Sequence, residues 1–310
     1  MGQTQEYIDI RDIFNIIYRG KYIVIACIFI SFAIGIGVSL LLQNVYTSKI
    51  VLGPSQSNND LSLDSGTVAA LSSLAGINLR SNGSDEDLAI KILESRRFLV
   101  DFARSHNIVP ELLAVKSWDA SDHRLQYDLD LYDPEKKTWV RKVKPPLTPA
   151  PSDSEIYERF KKILDIDRDP QTDFVTVSVT YVSPTLAQSW AAGLIADLNK
   201  QMSRDAIDRL EKSIAYLEQQ LERKDLIASV TNSISQVLQS QIRDRTLVDA
   251  RTEYALRTID PAYVPQFKSG PNRLLIVVIG GLVGAIIGVL VVLMFSVANP
   301  GIMKRLGGRR

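Results

Sequence analysis

The sequence predicts an α+β protein carried by two membrane helices. Three observations lead there. Two long apolar runs stand near the ends of the 310-residue chain, at 23–42 and 274–297. Between them lies a clean β alternation, DFVTVSVTYVSP. A helical pattern opened by Pro184 and without a further proline follows it to about 224, longer than a compact core can cover.

The apolar runs come first. Roughly 20 apolar residues cross a bilayer, and both runs are long enough. In the first, only Ser31 and Ser39 interrupt the apolar character. It ends in SLLLQNVYTS, without the small-residue cleavage pattern of a signal peptide, so it reads as an uncleaved anchor. Arg11, Arg19 and Lys21 precede it, and Lys304, Arg305, Arg309 and Arg310 follow the second run. Cations near spans mark the cytoplasmic side. The expected organisation is therefore a cytoplasmic segment 1–22, a span 23–42, an outer domain 43–273, a span 274–297 and a cytoplasmic tail 298–310. In a Gram-negative cell the outer domain is periplasmic. Within 1–22, Tyr7, Ile10, Ile13, Phe14 and Ile17 share a helical face. That face fits a surface-lying amphipathic helix or the first turns of the span.

The outer domain reads as mixed. VYTSKIVLGP is a β-branched, alternating strand. VAALSSLAGINL is a small-residue segment with helical character. Ser84 with Asp87 fits a capping box opening one helix through DLAIKILESRRFLVDFARSHN, closed by Asn107. PELLAV is a short helix. Residues 117–150 are polar, and KPPLTPAPSD reads as an extended strap rather than a recognition ligand. Ser152 with Glu155 opens a helix through EIYERFKKILDI. In the strand that follows, Val175, Val177, Val179 and Tyr181 share one side.

Ser183 and Pro184 form an N-cap and first-turn proline. In the helix beyond, Ile207, Leu210, Ile214, Leu217 and Leu221 make a heptad seam. About 40 residues give a rod on the order of 60 Å. A turn is expected at Ser229–Ser233, with a return helix over about 234–257. A single continuous helix is the alternative. The return to the second span favours the hairpin.

The connector IDPAYVPQFKSGPNR carries Pro261, Pro265 and Pro271, which favour extended geometry. In the span after it, Gly280, Gly284 and Gly288 recur every four residues on one face. Small residues at that spacing let two membrane helices approach closely. Their partner is the first span, with Gly35 and Gly37 as candidates, or another protein.

The composition excludes several functions. A net charge of +1 gives no basic patch for nucleic acid. Cys27 is the sole cysteine, so neither an intrachain disulfide nor a cysteine metal site can form. Two histidines, His106 and His123, have no metal-ligand spacing. Phosphate-loop and nucleophile-elbow patterns are absent. No catalytic residue, metal or cofactor is expected, and the chain reads as a non-enzyme.

Four segments together resemble the Wzz-type polysaccharide co-polymerases, the O-antigen chain-length determinant family. They are the first span with VYTSKIVLGP; VAALSSLAGINLRSNGSDEDLAIKILESRRFLVDF; YDPEKKTWVRKVKPPLTPAPSDSEIYERF with VSPTLAQSWAAGLIADLN; and the connector with the second span. The family motif commonly reads Ser-Pro-Lys, where this chain has Ser269-Gly270-Pro271-Asn272-Arg273. Arg273 stands in for the lysine. The resemblance implies a bacterial inner-membrane protein with an α+β base domain and a projecting helix. It further implies a homo-oligomer that sets the modal length of lipid-linked O antigen with the O-antigen polymerase. Two mechanisms fit it: a scaffold for the polymerase, or a surface that measures the glycan. The alternative reading is a capsule or exopolysaccharide assembly or export adaptor lacking the kinase domain some relatives carry.

Overall fold

The computed structural model describes residues 18, 20–54, 85–119, 121–122, 124–222 and 228–298. The protein is mixed α and β, and it divides into two compact units. One is Tyr46–Phe267; the other comprises the residues before and after it. In chain order the elements are α1 (Lys21–Leu41), β1 (Tyr46–Pro54), α2 (Asp85–Leu93), α3 (Arg96–Ser105) and α4 (Val109–Ala114). Next come β2 (Val115–Asp119), β3 (Arg124–Tyr127), β4 (Tyr132–Asp133), β5 (Thr138–Trp139) and α5 (Asp153–Ile163). The last are β6 (Leu164–Arg168), β7 (Val175–Tyr181), α6 (Pro184–Leu221), α7 (Ala228–Ala250), β8 (Leu256–Asp260) and α8 (Arg273–Ala298).

The Tyr46–Phe267 unit is built on a four-stranded antiparallel sheet in the order β6-β7-β1-β8. The alternation in β7 does what its pattern predicts. Val175, Val177, Val179 and Tyr181 are buried, with Leu52 and Ile50 of β1 opposite Val175 and Val177. Helix α6 packs on β1 and β7 and buries Ala187, Trp190, Ala191, Leu194 and Leu198. Helix α3 adds Phe98, Leu99 and Phe102, and α5 adds Ile156 and Phe160. Phe160 lies 6.0 Å from Phe102 and 6.4 Å from Trp190 between ring centroids, and Trp190 lies 4.5 Å from Tyr181. Gly193 admits Phe102, since a Cβ there would sit 3.2 Å from the ring.

Four sequence expectations change. The single helix from Ser84 is two, because Ser95 accepts a hydrogen bond from Phe98 N and caps α3. Asn107, at φ 53°, follows α3, as expected. The helix opened by Ser152 stops at Ile163, not Ile166, because Leu164–Arg168 pairs with β7. The return helix is Ala228–Ala250 rather than 234–257, because Leu256–Asp260 is drawn into pairing with β1. Residues 229–233 are thus helical, and residues 223–227 lie outside the described residues. Finally, the polar stretch 117–150 contains two small β-hairpins, β2-β3 and β4-β5. The segment 68–79 and the cap residue Ser84 lie outside the described residues, as do 1–17 and 299–310.

Helix α6 has 38 residues, about 57 Å at 1.5 Å per residue. Its fully buried positions end at Ala206. Beyond that point it is covered on one side only, by α7.

In the other unit, α1 and α8 are long and apolar enough to cross a membrane, and most of their surface is exposed. A core helix of a soluble protein would instead be covered. Asn272 caps α8 by accepting from Leu275 N at 3.3 Å.

Candidate functional site

The glycine face of α8 packs on α1. A Cβ built on Gly280 would lie 3.7 Å from Gly35 Cα; on Gly284, 2.6 Å from Ser31 Cβ; on Gly288, 2.9 Å from Val24 Cα. One turn further, a Cβ on Gly20 would lie 2.5 Å from Val292. These four steps describe one antiparallel seam, tightest at Gly284 and Gly288, where an added Cβ would fall under 3 Å from α1, and of ordinary contact distance at Gly280. Gly37 has no neighbour within 4 Å, so of the two candidate partners only Gly35 takes part. Gly281, off the three-glycine face, is buried against Phe32.

The connector ties the ends of this pair together. Ser269 N donates to Val45 O at 2.8 Å, and Val45 N donates to Gly270 O at 3.0 Å. Arg273 donates to Asn44 Oδ1 at 3.3 Å, while its Nε is buried without a partner. Gly270, the extra residue relative to the family motif, supplies the carbonyl for this pairing. Pro271 is half-buried beside it. Upstream, Pro261 is exposed and Pro265 is buried. Ser48 Oγ donates to Tyr263 O at 2.7 Å and Gln188 Nε2 donates to Ala262 O at 3.3 Å.

The heptad-seam residues lie on the part of α6 that α7 packs against. Ile207, Leu210, Ile214, Leu217 and Leu221 are all half-buried on α6; α7 packs on that helix, and on α7 Ile234 and Leu238 are half-buried and Val248 is buried. Arg245 on α7 donates to Glu211 on α6 at 2.8 Å and 3.0 Å. The apolar side chains of Tyr216, Val230, Val237 and Ile242 remain exposed on the hairpin.

The proline-rich strap is clamped by Arg141, which no motif singled out. Its guanidinium donates to the carbonyls of Thr148, Pro149 and Ala150 and to both carboxylate oxygens of Glu155. Glu155 also completes the capping box with Ser152. The Arg141 hydrogen bonds hold the Glu155 carboxyl down at about 2.

A charged groove of about 610 Å³ separates α3 from α6. Arg97, Asp101, Lys200, Arg204 and Asp208 line it, over buried Phe98 and Phe102. His106 Nε2 sits 2.8 Å from Asp197 Oδ2 at one side. Ser105 lines the groove too, but its hydroxyl donates to Phe102 O. His123 lies outside the described residues. Among the described residues no three His, Cys, Asp or Glu converge as metal ligands.

Two exposed apolar helices, joined by an α/β unit with a helical hairpin, fit a membrane protein. Residues 6–106 match the model of the family described as Wzz, chain length determinant protein. The resemblance read from the motifs is thus found over the first third of the chain. A solved full-length bacterial polysaccharide co-polymerase aligns with 13% identity, covering 94% of this chain and 99% of that one, at a TM-score of 0.38. A fragment of WzzB, a polysaccharide co-polymerase from Salmonella Typhimurium, aligns with 15% identity over 73% of this chain and 100% of the fragment, at a TM-score of 0.31. Comparison with curated proteins gives no match.

Proposed function

We propose that this chain is a non-enzymatic, membrane-anchored regulator of bacterial surface-polysaccharide chain length, acting on O antigen. The match to the chain length determinant family over residues 6–106 carries the reading. The apolar helices α1 and α8 anchor the chain in the inner membrane, with both termini cytoplasmic and the Tyr46–Phe267 unit periplasmic. Copies assemble into a homo-oligomer, to which the hairpin offers exposed Tyr216, Val230, Val237 and Ile242. The oligomer sets modal length by scaffolding the O-antigen polymerase around its lipid-linked polysaccharide. With the glycine face already occupied by α1, polymerase contact falls to the outer faces of the helix pair.

Deleting the gene and resolving lipopolysaccharide by electrophoresis tests this. The modal cluster of bands should collapse to a broad distribution of short chains, restored by the intact gene. An unchanged ladder would contradict it. Loss of capsule or exopolysaccharide with an unchanged ladder would favour the assembly or export adaptor.

A further inference from the structure

Phe267 is 84% exposed, the most exposed large apolar side chain among the described residues outside α1 and α8. Tyr263 and Val264 beside it are exposed too. Burying such a side chain is favourable, so a solvated phenylalanine at the end of a well-packed unit calls for a partner.

Chain connectivity says which. Phe267 is two residues, at most about 7 Å of chain, from Ser269. Ser269 is hydrogen-bonded to Val45, four residues beyond the end of α1, and Arg273 opens α8 four residues later. Whatever the orientation of the unit, Phe267 stays near the level where the apolar helices begin.

The two ends of the helix pair are furnished differently. At one end Tyr18 and Tyr22 are exposed, with the Lys21 ammonium 4.8 Å and 5.4 Å from their ring centroids. Aromatic rings beside cations are what membrane–water boundaries select. At the other end the corresponding stretches, 42–45 and 268–275, contain Lys268 and Arg273 but no aromatic residue. The nearest exposed ring in sequence is Phe267. Its loop is held by the hydrogen bonds that Ser48 and Gln188 make to the Tyr263 and Ala262 carbonyls.

We propose that Phe267, with Tyr263 and Val264, is an interfacial anchor that inserts into the lipid headgroup–acyl boundary, while Lys268 and Arg273 face lipid phosphates. This rests on the reading that α1 and α8 span the bilayer. The anchor ties the connector to the membrane surface.

The full-length chain, carrying Cys27→Ser, is reconstituted in phosphatidylethanolamine–phosphatidylglycerol vesicles. A fluorophore is placed at Val264→Cys, Leu282→Cys or Tyr216→Cys, and quenched by doxyl lipid or by aqueous iodide. Leu282 reports the span and Tyr216 the hairpin. Lipid quenching at 264 should come within about a factor of two of that at 282, with iodide effective only at 216. Adding Phe267→Asp should cut lipid quenching at 264 severalfold and leave 216 unchanged. Iodide access at 264 while 282 stays lipid-exposed overturns the anchor alone. Shielding of 264 from both quenchers, or no effect of Phe267→Asp, overturns it too, the former by placing protein on the patch. Iodide access at 282 overturns the spanning reading and the anchor with it.

Discussion

The Asn199 side chain is hydrogen-bonded to both backbone groups of Leu256. Its Nδ2 donates to Leu256 O at 3.1 Å, and its Oδ1 accepts from Leu256 N at 3.2 Å and from Ala255 N at 2.9 Å. The amide is 4% exposed, so water cannot replace these bonds. This one residue of α6 fixes where the chain leaves the hairpin and enters β8.

Asn199→Ala would leave two buried N–H groups and a carbonyl unpaired. Unsatisfied buried polar groups cost about 1–3 kcal/mol each, and partial relaxation brings the expected loss to about 3 kcal/mol. Thermal unfolding in detergent should report it. Asn199→Ala within about 0.5 kcal/mol of the parent would show that the clasp is dispensable.

The helix seam makes a sharper prediction. A Cβ on Gly288 would lie 3.2 Å from Cys27 Cβ, just under the roughly 3.5–4.5 Å of a disulfide pair, so a slight outward shift away from Val24 would bring the two into disulfide range. Gly288→Cys should therefore crosslink to Cys27 within one chain under mild oxidation, read as loss of both thiols without a dimer on a non-reducing gel. Leucine at Gly280, Gly284 and Gly288 should instead force the helices apart, because Ser31 Cβ and Val24 Cα lie under 3 Å from the added atoms at 284 and 288. Membrane insertion should survive, since leucine is apolar, while modal-length control is lost. Wild-type length in that triple variant would mean that the close approach is not used.

Much of this was legible from local pattern. Val175, Val177, Val179 and Tyr181 alternate, and Ser183-Pro184 announces α6. The glycine spacing shows a packing face, but it cannot say that Ser31 and Val24, some 250 residues earlier, lie against it. Where the reading missed, a distant partner overrode a local pattern. Helical periodicity continues through Leu164 and Ile166, and through Leu256, yet β7 and β1 capture them as strands. Ser95 sits within an apolar stripe and looks tolerable in a helix until its hydroxyl is seen capping Phe98 N. Asn199 and Arg141 carry no motif at all. Their meaning lies in backbone groups that the sequence does not place.

Arg141 and Glu155 give a pH test. The Glu155 carboxyl is held at about 2, against an ordinary value of 4.5, chiefly by its hydrogen bonds from Arg141. A depressed carboxylate stabilises the fold in full above its unfolded value and loses that contribution as pH falls through the folded one. Glu155→Gln should cost about 2 kcal/mol at neutral pH. The difference from the parent should hold steady above about pH 4.5 and shrink towards pH 2. A difference that stays constant into acid would show that the ion pair does not hold the strap.

Asp244 on α7 carries the opposite sign. It is half-buried on the hairpin, one carboxylate oxygen has no hydrogen-bond partner, and burial raises its carboxyl above the ordinary 3.8. The folded state therefore binds the proton more tightly than the unfolded chain. Stability must fall as pH rises through the window that begins at the ordinary value, and the penalty is complete once the folded group has ionised. Asp244→Asn removes the charge while keeping the shape. The variant should melt a few degrees higher than the parent at pH 7, since about 1 kcal/mol shifts the midpoint of a unit this size by about 2–4 °C. At pH 3, where the carboxyl is largely protonated in both states, the gap should close. A variant no more stable than the parent at pH 7 would mean that the hairpin solvates Asp244 despite its burial.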